Sequence, residues 1–445
     1  MKPTSTKILI ADYIPAFNKG ELAILEGILE SFRVLDKVEV SIFSFNIGID
    51  STRYPESIRL IDVRRELNML ESFQGFQDSH RANMINGLYG GIRHIIFGFL
   101  YFILKETSFK LMRSGLWKQY YDTDVIITSH DQESCLFGPP QLPLLPLYAT
   151  LLAKTLHKPI VIYGNGTYKF RRKIWEKLAG YLLGKVDLVT AREKETYDYF
   201  RKIATRKSHI FLTADPAFMM TPVNRKKALK ILQEEGVTFG KKLSIGITIT
   251  NENLSFGTQI IGSPQKRQES IVAFAGIIDR LIEEFEATIV FLPHCVGPSD
   301  FLDDRILAKK LYSLVRNKQN VFVITKEYST RELKGIIGVM DLLIGGRVHS
   351  VIGALSSGVP TIVLTKPMDT RFQSTAEGLA GQEKWIYEIK QPNLEGLFSK
   401  IENLISVRHE VSEDLFRKSQ TTRRLAQKNG ELLKTLLSKK DQRIT

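Results

Sequence analysis

Cysteine is scarce in this chain of 445 residues, which contains only Cys135 and Cys295. Two cysteines cannot form the disulfide framework that stabilises small secreted domains, so the sequence argues against that class of protein. We interpret both residues as small packed side chains rather than nucleophiles. A reducing compartment is the natural expectation, and the sequence therefore predicts a cytoplasmic protein.

Long hydrophobic runs are also rare. The first apolar run, Lys7 to Ala11, is too short for the core of a signal peptide and is interpreted as the first strand. The run from His94 to Leu104 falls short of the roughly 20 apolar residues that a membrane-spanning helix needs. Its aromatic residues, with Arg93 and Lys105 at its ends, predict a peripheral contact of residues 93–105 with anionic lipid at the inner face of the cell membrane. A buried core helix is the alternative.

Acidic residues are fewer than basic ones: the chain has 48 aspartate and glutamate residues and 62 lysine and arginine residues, which gives a formal net charge of +14. Such a balance favours an anionic partner, which could be nucleic acid, an acidic membrane or a phosphorylated substrate. Zinc-finger spacing, an RNP-like aromatic motif and a helix-turn-helix pattern are all missing, so nucleic acid is not the expected partner. Three potential metal ligands lie close together in the sequence, His130, Asp131 and Glu133. No further residues have the spacing of metal ligands, so no metal is expected.

Alternating strand and helix patterns run from end to end, which is typical of parallel sheets with helices on both faces. A single hydrophobic core stops growing at roughly 250–300 residues, so the length indicates two domains. The first series of strands lies near residues 8–11, 38–45, 125–128, 159–163, 186–190 and 209–212, and the second near 243–248, 288–292, 321–324, 342–344 and 361–364.

The polar, charged stretch 224–242 separates the two series. We predict an N-terminal Rossmann-like domain over 1–235, with an apolar and basic insertion at about 66–121, and a C-terminal Rossmann-like domain over 236–405. A helical tail is expected over 406–445. The fold class is therefore α/β, with two doubly wound Rossmann-like domains facing a cleft, as in the glycosyltransferase-B arrangement.

The stretch from Asp341 to Pro360 is the most informative part of the sequence. A strand ends near Ile344, two glycines permit a tight turn, and a helix of small residues follows at once. Arg347 and His349 then lie at a helix N-terminus, where a bound anion is favoured. Arginine offers a planar fork of donors to phosphate or carboxylate, and histidine exchanges a proton near neutral pH. The alternative is structural, with Arg347 bridging to a carboxylate such as Asp341 and His349 satisfied within the core.

This stretch resembles the polysaccharide pyruvyl transferase family, whose C-terminal motif is an Arg-x-His at the start of a small-residue helix that ends in Gly-x-Pro. Further elements are similar in the same order: Asn18-Lys19-Gly20-Glu21 to an Asn-x-Gly-Asp loop, Thr190 to Thr196 to an Arg-x-x-x-Ser element, Asp215-Pro216-Ala217-Phe218 to an Asp-Pro-x-Phe turn, and Pro293-His294 to a Pro-His strand end. The chain departs from the family in having Glu21 for the usual aspartate and Thr196 for serine, and Lys366 and Arg371 both compete for the family's lysine after the final strand.

The resemblance implies an enzyme that transfers a pyruvyl group from phosphoenolpyruvate to a sugar of a cell-surface polysaccharide or its lipid-linked precursor. The N-terminal domain would then be the acceptor side and the C-terminal domain the donor side. His349 would be the acid/base and Arg347 would hold phosphate or carboxylate, with Arg192 and Lys366 as weaker candidates for the remaining charge. The expected substrate-binding residues are Asn18, Gly20, Glu21, Arg192, Asp215, His294, Gly346 and Lys366, although Asp215 also fits a simple turn cap. Phosphoenolpyruvate is the donor substrate, and no cofactor is expected.

Two other functions use the same architecture, because a fold does not establish a function. A nucleotide-sugar glycosyltransferase would bind its diphosphate at the C-terminal domain, although the carboxylate pair typical of that class near the chain end is lacking. A non-catalytic protein that binds an anionic glycan or a lipid-linked sugar is the third possibility.

Overall fold

The computed structural model describes residues 5–44, 47–63, 93, 96–112, 114–129, 144–167, 169–170, 172–207, 209–239, 243–255, 264–365, 381–390, 394 and 396–444. Of the residues singled out in the sequence, His130, Asp131, Glu133, Cys135, Lys366 and Arg371 lie outside these ranges.

The strands and helices alternate along the chain. The strands are β1 (Thr6–Tyr13), β2 (Val38–Ser44), β3 (Ile58–Asp62), β4 (Val125–Thr128), β5 (Ile160–Asn165), β6 (Leu188–Ala191), β7 (Ile210–Leu212), β8 (Ser244–Thr248), β9 (Thr288–Phe291), β10 (Val321–Val323), β11 (Leu342–Gly345), β12 (Thr361–Thr365) and β13 (Ile386–Glu388). The helices are α1 (Lys19–Ser31), α2 (Ile47–Asp50), α3 (Ser108–Met112), α4 (Gly115–Asp122), α5 (Leu144–Thr155), α6 (Lys173–Lys185), α7 (Lys194–Ile203), α8 (Arg225–Glu234), α9 (Pro264–Phe285), α10 (Asp304–Leu314), α11 (Thr330–Ile337), α12 (Val348–Ser356), α13 (Leu397–Ser406) and α14 (Arg408–Ile444). Residues 96–104 are also helical, and Pro216–Met219 form a short 3₁₀ helix.

Two parallel sheets organise the chain, which confirms the predicted α/β class. The first has seven strands in the order β3-β2-β1-β4-β5-β6-β7, and the second has six in the order β10-β9-β8-β11-β12-β13. In each sheet the order reverses once, between β1 and β4 and between β8 and β11, as in doubly wound folds. Ligands of such sheets bind beyond the carboxyl ends of the strands at this reversal.

Successive residues along each strand of the second sheet point to opposite faces of the sheet, and each face packs against its own hydrophobic core. Ile289 and Ile344 face a core with α9 and α13, whereas Val290 and Leu343 face a core with α8 and α11. Both faces of the sheet are thus covered, and its strands need almost uninterrupted apolar sequence. This explains why the strands were visible as short apolar runs.

The chain divides into two compact units that differ from the predicted boundaries at residues 235 and 405. The first comprises Met1–Ala16, Ser31–Thr213 and Lys428–Thr445, and the second comprises Phe17–Glu30 and Ala214–Gln427. Most of α1 therefore belongs to the second unit, and the end of α14 belongs to the first.

Close backbone packing accounts for both assignments. A Cβ atom added at Gly27 of α1 would lie 1.9 Å from the carbonyl oxygen of Pro216, within the second unit. In α14, a Cβ atom at Gly430 would lie 2.2 Å from the carbonyl oxygen of Ser31, within the first unit. The predicted helical tail is confirmed as α14, which continues from one unit into the other.

In the described part of the chain, no helix combines the length and the apolar character that crossing a bilayer requires.

Candidate functional site

The turn between β11 and α12 carries the Arg-x-His motif, in the second unit. The backbone N–H of Gly346 donates to the carbonyl oxygen of Thr248 at 2.6 Å, and a Cβ atom at Gly346 would lie 2.3 Å from Asn253 Oδ1. Only glycine permits this approach. Arg347 has extended backbone angles and is the N-cap residue of α12, so the predicted strand, turn and helix are all present.

Arg347 is paired with a carboxylate. Its Nε and Nη2 donate to the two oxygens of Asp304 at 3.2 and 2.6 Å. Asp304 also accepts from the backbone N–H groups of His294 and Cys295, each at 2.9 Å. The guanidinium is therefore held in a fork geometry by an aspartate that is itself fixed by the end of β9.

The partner of Arg347 differs from the one named in the structural alternative. Asp341 precedes β11, at the opposite end of the strand from Arg347, and accepts from the backbone N–H and hydroxyl of Ser244 at 2.8 and 2.6 Å. The prediction that Asp341 pairs with Arg347 is thus wrong, although Arg347 does form an ion pair with another carboxylate, that of Asp304.

His349 lies one residue into α12 and its side chain is 12% exposed. Its Nε2 is buried and has no hydrogen-bond partner, and the nearest carboxylate oxygen paired with it, Asp215 Oδ2, is 3.7 Å away. On its other side His349 contacts α1, where a Cβ atom at Gly20 would lie 2.7 Å from Nδ1. The ring is closely packed but not satisfied, which leaves Nε2 able to exchange a proton with a ligand.

The Asn18-Lys19-Gly20 loop brings the start of α1 to the same place. Asn18 Oδ1 accepts from the N–H of Gly20 at 3.0 Å, and the N–H of Lys19 donates to the carbonyl oxygen of His294 at 2.8 Å. The buried Lys19 side chain pairs with Glu327. The loop thus adds a short antiparallel contact to the chain that leaves β9.

Asp215 and His294 complete the surroundings of His349. Asp215 caps the 3₁₀ helix by accepting from the N–H of Ala217 at 2.8 Å, so both the expected turn cap and the proximity to His349 are present. Burial lowers the pKa of His294 to about 4, so this ring is neutral at ordinary pH. Its Nδ1 must carry the proton, since it lies 3.1 Å from the carbonyl oxygen of Leu292, which can only accept.

A small cavity lies among these elements of the second unit. Its polar lining comes from Lys19, His294, Thr330, Lys334 and His349, and its apolar lining from Ala23, Met220, Leu333, Ile337 and Gly353. A lining that combines basic groups with hydrocarbon suits a small anion with an apolar portion.

Lys334 was not among the residues expected from the sequence. It is 4% exposed, on the buried face of α11, and its Nζ donates to the carbonyl oxygen of Met220 at 2.7 Å. A signal was available, because Thr330, Lys334 and Ile337 recur with the period of one helix face, so a lysine falls among apolar residues. Asp304 was missed as well, since its role depends on a pairing across 43 residues.

Residues 18–365 match the family model described as polysaccharide pyruvyl transferase. The chain belongs to the polysaccharide pyruvyl transferase family. The amylovoran biosynthesis protein AmsJ of Erwinia amylovora is 25% identical over 232 residues, which are 52% of this chain and 53% of AmsJ. The match thus spans about half the length of that curated relative.

Two solved structures show how widely the fold of this pyruvyl transferase family member is shared. UDP-GlcNAc 2-epimerase of Neisseria meningitidis, bound to UDP-GlcNAc, is 11% identical, with a TM-score of 0.56 over 97% of this chain and 100% of the epimerase. The HepE protein of Anabaena, in complex with UDP-glucose, is 12% identical, with a TM-score of 0.54 over 97% and 99% of the two chains. At such identity the likeness establishes the fold alone.

The remaining site predictions for this family member fall in different places. Glu21 is half-buried in the first turn of α1, in the second unit with Asn18, Gly20, Asp215, His294, Gly346, Arg347 and His349. Arg192 belongs to the first unit, where its buried side chain donates from Nε to Glu193 at 3.3 Å. Its role in binding the donor stays a prediction, as does that of Lys366 outside the described residues.

Metal and thiol chemistry have little structural support at this site. Among the described residues, no group of three or more His, Cys, Asp or Glu side chains could hold a metal ion. Burial raises the pKa of Cys295 to about 11, so its sulfur is a protonated, packed thiol that donates to the carbonyl oxygen of Gly297 at 3.2 Å.

Proposed function

We propose that this chain transfers a pyruvyl group from phosphoenolpyruvate to a sugar of a cell-surface polysaccharide or its lipid-linked precursor and forms a pyruvate ketal. Membership of the polysaccharide pyruvyl transferase family supports the reaction class. The observation that carries the proposal is the unpartnered Nε2 of His349, beside a cavity lined by Lys19 and Lys334. The donor is a metabolite of the cytoplasm, so the transfer is proposed to occur there.

The first half of the reaction adds one sugar hydroxyl across the enol double bond. His349, in its protonated form, gives a proton to the methylene carbon, which becomes a methyl group, and positive charge develops at the carbon that bears the phosphate. The sugar oxygen bonds to that carbon, and its proton returns to His349. General acid–base catalysis of this kind contributes about 10²–10⁴-fold to the rate.

The second half replaces phosphate with the second hydroxyl. The carbon–oxygen bond to phosphate breaks, the neighbouring sugar oxygen forms the second bond to the same carbon, and its proton leaves with phosphate. The products are the pyruvate ketal and inorganic phosphate. Cationic donors near the departing phosphate stabilise this step. The Nη1 of Arg347, which Asp304 does not engage, is one such donor.

The test is phosphate release from phosphoenolpyruvate over a panel of sugar acceptors. We expect acceptor-dependent release by the wild-type protein and a loss of about 100-fold or more in His349→Gln, because the acid/base is removed while the shape is nearly kept. His409→Gln is the matched control, since His409 is exposed on α14. Mass spectrometry of the product should show the added pyruvate.

A different result would favour a different function. Thermal stabilisation by UDP-glucose, without phosphate release for any acceptor, would support a nucleotide-sugar enzyme, in keeping with the ligands of the epimerase and HepE structures. Sugar binding without turnover of either donor would indicate a non-catalytic glycan-binding protein.

A further inference from the structure

The basic residues that line the cavity, and the neighbouring Arg347, differ in whether they already have a counter-charge. Lys19 pairs with Glu327, and Arg347 pairs with Asp304. His294 is neutral at ordinary pH because burial lowers its pKa to about 4. Lys334 stands apart, since its one hydrogen bond goes to a neutral carbonyl, and no carboxylate of the described residues lies within ion-pair distance of it.

The other surroundings of Lys334 disfavour a positive charge on its side chain. Its stem packs along α12, where a Cβ atom at Gly353 would lie 3.8 Å from Lys334 Cγ. The carboxylates on α1, Glu26 and Glu30, are both engaged by Arg331. Burial, followed by repulsion from Arg423 of α14 and from Arg331, lowers the pKa of Lys334 to about 7.

We propose that Lys334 is the residue that binds the carboxylate of the enolpyruvyl donor, with the hydrocarbon of that group against Met220, Leu333 and Ile337. The inference rests on the proposed function. Nζ keeps two N–H bonds beyond the one given to Met220, and it shares the cavity with His349, which would face the reacting methylene carbon. A buried ammonium with no internal carboxylate is best stabilised by an anion from outside.

A proton balance distinguishes this role from a structural one. A bound carboxylate favours the charged amine, so donor binding at pH 8 should draw a proton from solution. Lys19, His294 and His349 also line the cavity, so comparison with Lys334→Met is needed to isolate the contribution of Lys334. Calorimetry of phosphoenolpyruvate binding in buffers of different ionisation enthalpy measures the uptake.

The experiment compares wild type with Lys334→Met and with Lys310→Met, a control at an exposed lysine of α10. We expect the KM for phosphoenolpyruvate to rise at least about tenfold in Lys334→Met, the loss expected for a charge-assisted hydrogen bond, and kcat to change less. Proton uptake on donor binding at pH 8 should fall in Lys334→Met and stay unchanged in Lys310→Met. Melting temperatures show that each variant is folded.

Two outcomes would overturn the inference in different ways. An unchanged KM and unchanged proton uptake in Lys334→Met, with an active wild type, would remove Lys334 from the donor site while leaving the proposed function intact. A wild-type protein that neither binds nor consumes phosphoenolpyruvate would overturn both.

A second, independent observation concerns the helical residues 96–104 of the first unit. One face of this helix is buried, with Phe97 and Tyr101 packed on Trp117 at ring distances of 6.1 and 6.4 Å. The other face exposes large apolar side chains: Ile96 at 53%, Phe99 at 64%, Phe102 at 74% and Ile103 at 57%. Leu111 of the adjoining α3 is 63% exposed. The alternative of a buried core helix thus describes the face with Phe97 and Tyr101 but not this exposed face.

Basic side chains border the exposed face. The Lys105 ammonium lies 5.4 Å from the ring centre of the exposed Phe102, and Lys110 is exposed on α3. The Arg93 guanidinium lies 5.1 Å from the ring centre of Phe97, on the buried face. The nearby Glu106 is hydrogen-bonded to Tyr121. Aromatic residues combined with flanking cations are the composition of segments that rest in the headgroup region.

We infer that residues 96–104 and Leu111 form a surface that docks on an anionic lipid bilayer. Charge complementarity selects this occupant, because the chain carries a net charge of +14 and the apolar face is bordered by cations. A lipid-linked acceptor would then be met at the membrane surface.

Vesicle sedimentation tests this surface. Wild type should bind vesicles of phosphatidylglycerol and phosphatidylcholine, bind pure phosphatidylcholine weakly, and dissociate as salt rises. Binding should be lost in the double variant Phe99→Ser and Phe102→Ser, and kept in Phe416→Ser, a control at an exposed phenylalanine of α14. Failure of the wild-type protein to bind either type of vesicle would overturn the inference. So would a dimer, seen by light scattering, that only the double variant converts to a monomer, since a second copy would then cover the face.

Discussion

Charge compensation distinguishes the basic residues that the sequence placed together near α12. Arginine at a helix N-terminus suggested an anion-binding group, and Asp304 provides an internal anion instead. His349 keeps an unpartnered ring nitrogen, which is the property that an acid/base needs. Local sequence located both side chains, but it could not show which of them was already neutralised, because the partner lies in another βα turn.

Lys334 gives a stability prediction with a defined dependence on pH. Its pKa is about 7 in the folded chain against 10.5 for an ordinary lysine, so the unfolded chain holds the proton more tightly. The cost of burial is full below pH 7 and disappears as the pH approaches 10.5. We therefore expect Lys334→Met to be more stable than wild type at pH 7. The gain in unfolding free energy is on the order of 1.4 kcal/mol for each unit by which the pKa is lowered, reduced by about 1 kcal/mol for the lost hydrogen bond to Met220.

Urea unfolding of both proteins between pH 6.5 and 9.5 measures this difference. The advantage of Lys334→Met should shrink steadily as the pH rises. Lys310→Met should show no such trend, since Lys310 is exposed. An advantage of wild type over Lys334→Met at pH 7 would contradict the assignment of Lys334 as a costly buried cation.

At the scale of elements, α1 is fixed by contacts that tolerate no added atom. Its apolar face packs with Phe218 and Ile352, and Gly27 touches the backbone of Pro216. Arg331 of α11 adds ion pairs to Glu26 and Glu30 at 2.6 and 2.7 Å. The helical spacing of α1 was evident in the sequence, but its neighbours were not, because a periodic pattern identifies an apolar face without its partner.

Gly27→Ala tests this packing. The new methyl group would meet the Pro216 carbonyl oxygen at 1.9 Å, so α1 or the 3₁₀ helix must shift. We expect a destabilisation of about 1–3 kcal/mol, as for overpacked cores, and reduced phosphate release, since the same shift displaces Gly20 from His349. Denaturant midpoints and activity measure the two effects.

Gly276→Ala provides the matched control, because Gly276 is exposed in α9 and an added Cβ atom meets nothing within 4 Å. Helix propensity alone should then make this variant more stable by about 0.5–1 kcal/mol. Equal behaviour of the two alanine variants would refute the close approach at Gly27.

At the scale of the whole molecule, the chain does not divide at a single boundary. The first unit includes the end of α14, where the buried Asn429 accepts from the hydroxyl of Thr213 at 2.9 Å. The basic helical tail seen in the sequence is α14, whereas the polar stretch 224–242 contains α8 and lies within the second unit instead of separating the two. The assignment of α14 residues to a unit depends on contacts more than 200 residues apart in sequence.

Leu433→Ala tests whether the end of α14 is part of the core of the first unit. Leu433 is fully buried, so its truncation should cost about 2–5 kcal/mol. Scanning calorimetry and hydrogen exchange should locate the loss in residues of the first unit. Ser438→Ala, at an exposed position of the same helix, should change little, and an equally small effect of Leu433→Ala would argue against this packing.

Local sequence was enough to predict the parallel α/β class, the two series of strands, and the turn that carries Arg347 and His349, because apolar periodicity and glycine placement act over a few residues. Tertiary structure alone decided that α1 belongs with the second unit, that Asp304 compensates Arg347, and that Lys334 stands without a carboxylate among the described residues. Those outcomes depend on which side chains meet across long stretches of chain, and on how burial then alters the cost of each charge.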